Sequence, residues 1–354
     1  MATHHQLPRE EFEEIASLLW VPHPCRASDR VGLHSRPSAP ATLFSMSRRL
    51  FFTDHYTLPL PDGHRFPITK YKLVREALVA DGIFEFLPAP LAKPEVIALA
   101  HDPAYVNQFL QGALSSAAMR RIGFPWSPEL VKRTLGSVGG TLSASMDALH
   151  PPSPSGKGGA PTSWSGTLAG GTHHAFRSEG SGFCVFNDIA IAILWLRAKG
   201  LAQRAAVVDL DVHQGDGTAQ IFQDDADVLT TSVHCRANFP FRKQQSKIDV
   251  ELEDATQDEE YLRVVDDLLP KVAEFKPEIL FYQSGVDGLA TDALGRLSLS
   301  HAGLRERDRK VCSFAKAISV PLVITLGGGY SKPIEHTALA HANTFRTAAE
   351  VFQI

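Results

Sequence analysis

Cysteine is scarce in this chain. Four occur in 354 residues, Cys25, Cys184, Cys235 and Cys312, and no two stand at the spacing of a zinc knuckle or a thioredoxin-like redox pair. With no secretory signal in view, reduced thiols are expected, in a cytoplasmic or nuclear setting. Long apolar runs are missing too. None approaches the roughly 20 residues that cross a bilayer, so a soluble protein with no membrane partner is expected. Positive charge is not in surplus: Lys and Arg number 35 against 39 Asp and Glu, a net charge of −4. That leaves no general basic field and argues against direct nucleic-acid binding. Internal repeats are absent as well. What remains, 44% hydrophobic and 21% charged residues, is ordinary globular composition. Length alone suggests two domains, but one α/β domain can reach this size.

Residues 1–47 lack the periodic apolar pattern of a core segment. "REEFEEIASLLW" fits one short amphipathic helix, and the Pro-, Ser- and Arg-rich stretch after it resembles a linker or processing segment. Arg and Ser suit a transit peptide for organelle import, whereas Glu10, Glu11, Glu13 and Glu14 speak against one. A disordered extension is expected there, dispensable to a chain starting at Met46, and a single domain over 48–354.

From Leu50 onward the pattern is regular. "RLFFTD", "AAVVDL", "VLTTSV", "EILFYQS" and "PLVITL" read as strands. Helices are predicted at "TKYKLVREALVADG", "DPAYVNQFLQGAL", "PELVKRTLGSVGGTLSASMDALH", "NDIAIAILWLRAKG", "EEYLRVVDDLLPKVAEF" and from about His301 to Ile318. Residues 151–166 read as a low-complexity loop whose one core-forming residue is Trp164. The acids of "DVELEDATQDEE" read as a solvated face. Strands alternating with helices imply a mostly parallel central sheet covered on both faces, a three-layer α/β/α sandwich.

The stretch "AAVVDLDVHQGDG" concentrates the chemistry. An apolar strand runs into Asp209, Asp211, His213 and Asp216, groups that are costly to bury unless something positive sits among them. If the chain stays extended, Asp209, Asp211 and His213 fall on one face. In parallel α/β sheets ligands bind at the carboxyl ends of strands. "EILFYQS" leads to Asp287 at such an end and "PLVITL" leads through three glycines to Tyr330, while "GGTHHAF" carries His173 and His174. Singly, each has a plain structural reading: Asp287 as a cap, the glycines as a turn, the histidines as solvated loop residues. Together, two carboxylates and an imidazole suit zinc or iron, and three protein ligands leave a position open for water and substrate.

"GGTHHAF", "GSGFCVFND", "VVDLDVHQGDG", "SGVDGLATDALGRLSLS" and "LGGGY" occur here in one order that resembles the zinc-dependent histone deacetylase family, most of all its class IV branch and related bacterial proteins. The resemblance runs from about Leu50 to Phe352. It implies the arginase/deacetylase α/β fold and one Zn²⁺ per chain, held by Asp211, His213 and Asp287. It pairs His173 with Asp209 and His174 with Asp216 as catalytic groups, and gives Tyr330 the substrate carbonyl. Gly182 and Phe183 match one wall of an acyl-lysine tunnel and Phe239 the opposite wall. A structural K⁺ is implied through groups of Asp209, Asp211, His213, Ser232 and Val233. The implied activity is hydrolysis of Nε-acyl-lysine in histones or other proteins, which would make it a chromatin regulator. Alternatives are removal of long fatty acyl chains, deacetylation of small polyamine-type amines, or a non-enzymatic acyl-lysine-binding scaffold.

Amide hydrolysis needs a polarised carbonyl, an activated water and a proton for the departing amine. One imidazole can carry that proton both ways, and His174 is expected to do so, with Asp209 and Asp216 fixing tautomers and raising imidazole basicity. The three glycines before Tyr330 are expected to let it turn inward. The rival within the same fold, an arginase-like site with two manganese ions, needs further carboxylates at positions held here by Gly215 and Gly285, so a mononuclear site is expected.

Overall fold

The computed structural model describes residues 48–150 and 163–353. The expected extension, 1–47, and most of the expected low-complexity loop, 151–162, lie outside the described residues. Among the described residues eight strands form one sheet: β1 Arg48–Phe52, β2 Phe84–Pro88, β3 Trp164–Thr167, β4 Ala205–Asp209, β5 Val228–Cys235, β6 Ile248–Leu252, β7 Ile279–Gln283 and β8 Leu322–Thr325. Their order is β2-β1-β3-β8-β7-β4-β5-β6, and every neighbouring pair is parallel. The expected α/β sandwich is therefore what the chain forms.

Parallel neighbours need a crossover between them, and helices supply it. In chain order the helices are α1 Lys70–Val79, α2 Pro94–Ile97, α3 Pro103–Leu110, α4 Ser116–Ile122, α5 Pro128–Leu149, α6 Asp188–Ala198, α7 Asp216–Ile221, α8 Asp258–Phe275, α9 His301–Ala317 and α10 Glu335–Phe352. One layer is the row α1, α10, α9, α8; in the other, α5 packs on β1, β3 and β8 and beside α6. With helices on both faces, β3, β4, β5, β7 and β8 are buried at every residue, which is why β4, β7 and β8 read as apolar runs without alternation. The edges differ. Strand β6, "IDVEL", exposes Asp249 and Glu251 between half-buried Ile248 and Val250, charges that discourage edge-to-edge pairing. The ends of the helices are set by the usual chemistry: Ser127 accepts from the Leu130 N–H ahead of Pro128, and Asn187 accepts from the Ala190 N–H.

Two expectations about local structure are corrected. Residues 164–166 belong to a central strand, not to a loop. The Trp164 ring is fully buried and meets Phe84 edge-on at 6.3 Å; its removal would cost about 3–5 kcal/mol. Gly166 is small because a Cβ there would stand 2.6 Å from the Phe345 ring. Likewise, β4 ends at Asp209, so Asp211 and His213 leave the strand and enter the turn that follows. Among the described residues no helix is long and apolar enough to cross a membrane.

Candidate active site at the carboxyl edge of the sheet

Four adjacent strands, β3, β8, β7 and β4, deliver their following loops to one place. The loop after β3 brings His173 and His174, that after β4 Asp211 and His213, that after β7 Asp287, and that after β8 Tyr330; all six line one cavity of about 40 Å³. Because all strands run parallel, all four loops emerge at the same edge.

Asp211, His213 and Asp287 converge as expected. Each offers a ligand atom, these atoms lie within 4.8 Å of one another, and among the described residues no other such cluster of three metal-donor side chains occurs. His213 Nδ1 is 3.1 Å from Asp211 Oδ1 and 3.0 Å from Asp287 Oδ2. The carboxylates are fixed from behind: Val212 N–H donates to Asp287 Oδ1 at 2.9 Å and Gly328 N–H to Asp211 Oδ2 at 2.8 Å. Burial and the neighbouring Asp211 charge push Asp287 up to about 7. Burial pulls His213 down, but Asp287 and Asp211 outweigh it and carry the imidazole up to about 10. Two buried carboxylates and one ring nitrogen aimed at a single point make a donor set that fits a divalent cation with a position left open. The two places where a second metal would need further carboxylates are Gly215 and Gly285, and neither has room for a side chain. A side chain at Gly215 would put its Cβ 2.3 Å from Asp209 Oδ2, and one at Gly285 would stand 2.1 Å from Asp211 Oδ2.

The two histidines form separate dyads. His173 Nδ1 pairs with Asp209 Oδ2 at 2.7 Å, and His174 Nδ1 with Asp216 Oδ1 at 2.6 Å; all four residues are buried. Burial opposes charge on His173, yet Asp209 and Asp211 overcome it and raise the ring to about 9. Asp216 raises His174, as expected, but does not decide its charge. Burial and the adjacent His173 outweigh Asp216 and bring His174 down to about 4, so His174 is neutral near pH 7, a proton acceptor beside a charged neighbour.

Phe183 lines the cavity, held at φ 65° by its N–H bond to the Ile122 carbonyl at 2.8 Å, a backbone region that bulky residues rarely enter. Its ring stands 6.1 Å from that of Tyr330. Gly182 also lines it, and a Cβ there would press on His174 Cδ2 at 2.7 Å and Phe239 Cε1 at 3.1 Å. Phe239 meets His174 edge-on at 5.0 Å. Of the groups expected to hold potassium, Asp209 and Ser232 face each other in the β4–β5 register and Val233 follows. The Ser232 hydroxyl lies 3.0 Å from His234 Nδ1. The glycines before Tyr330 have a steric reason beyond conformational freedom: a Cβ at Gly328 would stand 1.8 Å from Asp287 Oδ2.

Several groups around the site escape a reading of the sequence. Asp292 Oδ2 accepts the Tyr330 N–H at 2.6 Å. Buried Arg307 donates to the carbonyls of Leu210, Ser284 and Gly285, at 3.3, 3.2 and 2.6 Å, and is paired with Asp308. Arg133 lines the cavity with its guanidinium over Phe66 and Tyr71. Lys70 lies under the loop that precedes Tyr330. A signal exists for these three cations, since each shares a helix face with buried apolar residues: Lys70 with Val74 and Leu78, Arg133 with Leu130, Arg307 with Leu304 and Val311.

Comparison with known proteins agrees with this geometry. Residues 64–346 match the histone deacetylase domain. An uncharacterized protein of Picosynechococcus sp. is 42% identical over 306 residues, 84% of this chain and 97% of that one. Histone deacetylase 2 of Arabidopsis thaliana is 31% identical over 282 residues, 76% of this chain and 70% of that one. Among solved structures, an acetylpolyamine aminohydrolase from Burkholderia pseudomallei shares the fold with a TM-score of 0.70 and 20% identity, over 86% of this chain and 99% of that one.

Proposed function

Since the chain belongs to the histone deacetylase family, we propose that it is a zinc-dependent amidohydrolase that releases the acyl group of Nε-acyl-lysine side chains, acetyl first among them. The observation that carries this reading is the convergence of the Asp211–His213–Asp287 donors, both His–Asp dyads and Tyr330 on one cavity. Zinc held by those three donors would polarise the amide carbonyl and lower the pKa of water towards ~7. The chain's own groups do the rest. With Nδ1 given to Asp216, His174 keeps Nε2 free to take a proton from the attacking water and pass it to the departing amine. His173, charged beside Asp209, stabilises negative charge that develops on the carbonyl oxygen. The Tyr330 hydroxyl donates to the same oxygen. Water's hydroxyl adds to the carbonyl carbon, the C–N bond breaks, and a carboxylate and an amine leave.

The test is metal analysis of the purified protein joined to a hydrolysis panel of acetyl-, butyryl- and myristoyl-lysine peptides and acetylated polyamines. The reading expects about one zinc per chain and turnover of acetyl-lysine peptide. Preference for the polyamines would move the substrate to small amines. A zinc-loaded protein that binds acetyl-lysine peptide without turnover would leave a binding scaffold.

A further inference from the structure

Lys70, the first residue of α1, has no exposed surface. A buried ammonium is costly unless hydrogen bonds and negative charge answer it. Its Nζ answers to backbone, donating to the carbonyls of Gly327 at 3.0 Å and Gly329 at 3.4 Å. Three rings complete the enclosure, with centroids 5.7, 5.4 and 5.1 Å away: Phe66, Tyr71 and Tyr330. Such faces attract a cation. The loop 327–330 is thus strung between opposite charges, its carbonyls on Lys70, its Gly328 and Tyr330 amides on Asp211 and Asp292. Arg307 is the informative contrast. It clamps the loops of β4 and β7 in the same manner, but Asp308 sits on its guanidinium at 2.8 Å. Lys70 instead turns its charge to the face of Tyr330.

We propose that Lys70 is a positioning residue for Tyr330: it fixes the glycine loop so that the hydroxyl points into the cavity, and its charge strengthens that hydroxyl as a donor to the substrate carbonyl oxygen. The inference rests on the hydrolytic role given to Tyr330 above.

The experiment compares Lys70→Met, Lys70→Gln and Lys70→Arg, alone and combined with Tyr330→Phe. Each is measured for kcat and KM on acetyl-lysine peptide, zinc content and thermal midpoint. Lys70→Met should lower kcat by about 10²-fold, the scale of losing one oxyanion donor, with KM nearly unchanged and zinc retained. Lys70→Gln, which keeps a donor for the carbonyls and loses the charge, should fall between Lys70→Met and Lys70→Arg. If Lys70→Met does not fold, the comparison of Gln with Arg decides. In the Tyr330→Phe background the Lys70 substitutions should cost little more, because the lysine acts through the phenol. A full additional loss in that background would overturn the proposal, as would an unchanged kcat in folded Lys70→Met. A readout without turnover is the ¹⁹F resonance of fluorotyrosine at position 330, assigned by its loss in Tyr330→Phe. It should shift or broaden in Lys70→Met, and an unmoved line would refute the positioning. If the wild type hydrolyses nothing in the panel, the functional reading fails while the resonance still decides the question of Lys70.

Discussion

His101 offers a quantitative test of the scaffold behind the histidine loop. Its ring is buried, with Nδ1–H donating to the Phe176 carbonyl at 2.9 Å and Nε2 accepting the Asn187 N–H at 2.8 Å. Both nitrogens are thereby committed to the neutral form. Asn187 in turn caps α6 and donates to the Ala175 carbonyl and the Thr218 hydroxyl, at 3.3 and 2.9 Å. Protonating Nε2 would replace an acceptor by a second donor facing a donor, in a place that also desolvates the charge. Burial accordingly lowers His101 from 6.5 to about 4. Between those values the unfolded chain binds a proton that the native one refuses, so stability rises with pH. The contribution is complete above about pH 6.5, is lost as pH falls towards about 4, and amounts to about 3 kcal/mol at ~1.4 kcal/mol per pH unit. Between about pH 7.5 and about pH 5 the same relation gives about 2 kcal/mol. The perturbation is His101→Gln and the assay urea unfolding of the metal-free protein at both pH values. Groups shared by wild type and variant cancel in the comparison. The variant should be less stable at the higher pH, by about 1–3 kcal/mol for the buried bonds disturbed, and the gap should shrink by about 2 kcal/mol at the lower. Parallel losses in the two proteins would refute the reasoning.

Other outcomes follow from the site. Asp211→Ala and Asp287→Ala should each abolish zinc retention along with hydrolysis, and metal analysis showing full occupancy in both would sink the ligand assignment. Tyr330→Phe removes one hydroxyl, so it should keep fold and metal while kcat drops by about 10²-fold or more; a near-normal kcat would place the oxyanion donor elsewhere. His174→Ala should lower kcat more than His173→Ala, because the neutral ring bonded to Asp216 is the proton carrier. A larger loss in His173→Ala, with zinc intact in both, would reverse the two roles.

The parts of this architecture that show in the sequence are those whose environment is local. "AAVVD", "ILFYQ" and "LVIT" are buried on both sides and announce it with unbroken apolar residues. Strand β3 hides because "WSGT" owes its place to a partner far along the chain, Phe345, against which Gly166 must be small. Helix α10 hides because its buried face is built largely from Ala and Thr, among them Ala338, Ala342, Thr344 and Ala348, which carry a weak periodic signal. The chemistry-bearing residues are legible as types at strand ends, and the structure brings all of them to one edge. Their electrostatics were harder to read: Asp216 beside His174 suggests a basic ring, whereas burial and His173 decide otherwise. Lys70, Arg133 and Arg307 do not stand out in the sequence because cations in helices ordinarily face water, and their partners lie up to 259 residues away.

Strand β8 has a consequence for how the chain assembles. Among the described residues it is the last strand in sequence, yet it lies inside the sheet, with β3 on one side and β7 on the other. Before residues 322–325 emerge during synthesis, the earlier strands can pair only as two blocks, β2-β1-β3 and β7-β4-β5-β6, with no edge in common. Parallel pairing between segments this distant is slow, since the connecting chain must be ordered before the contacts form. The same short segment that joins the blocks leads directly into Gly327–Tyr330, so the tyrosine arrives with the join. A nascent or truncated chain therefore holds both histidines and all three metal donors while remaining in halves. The placement of Tyr330 beside the metal donors is thus coupled to the insertion of β8 between the two blocks.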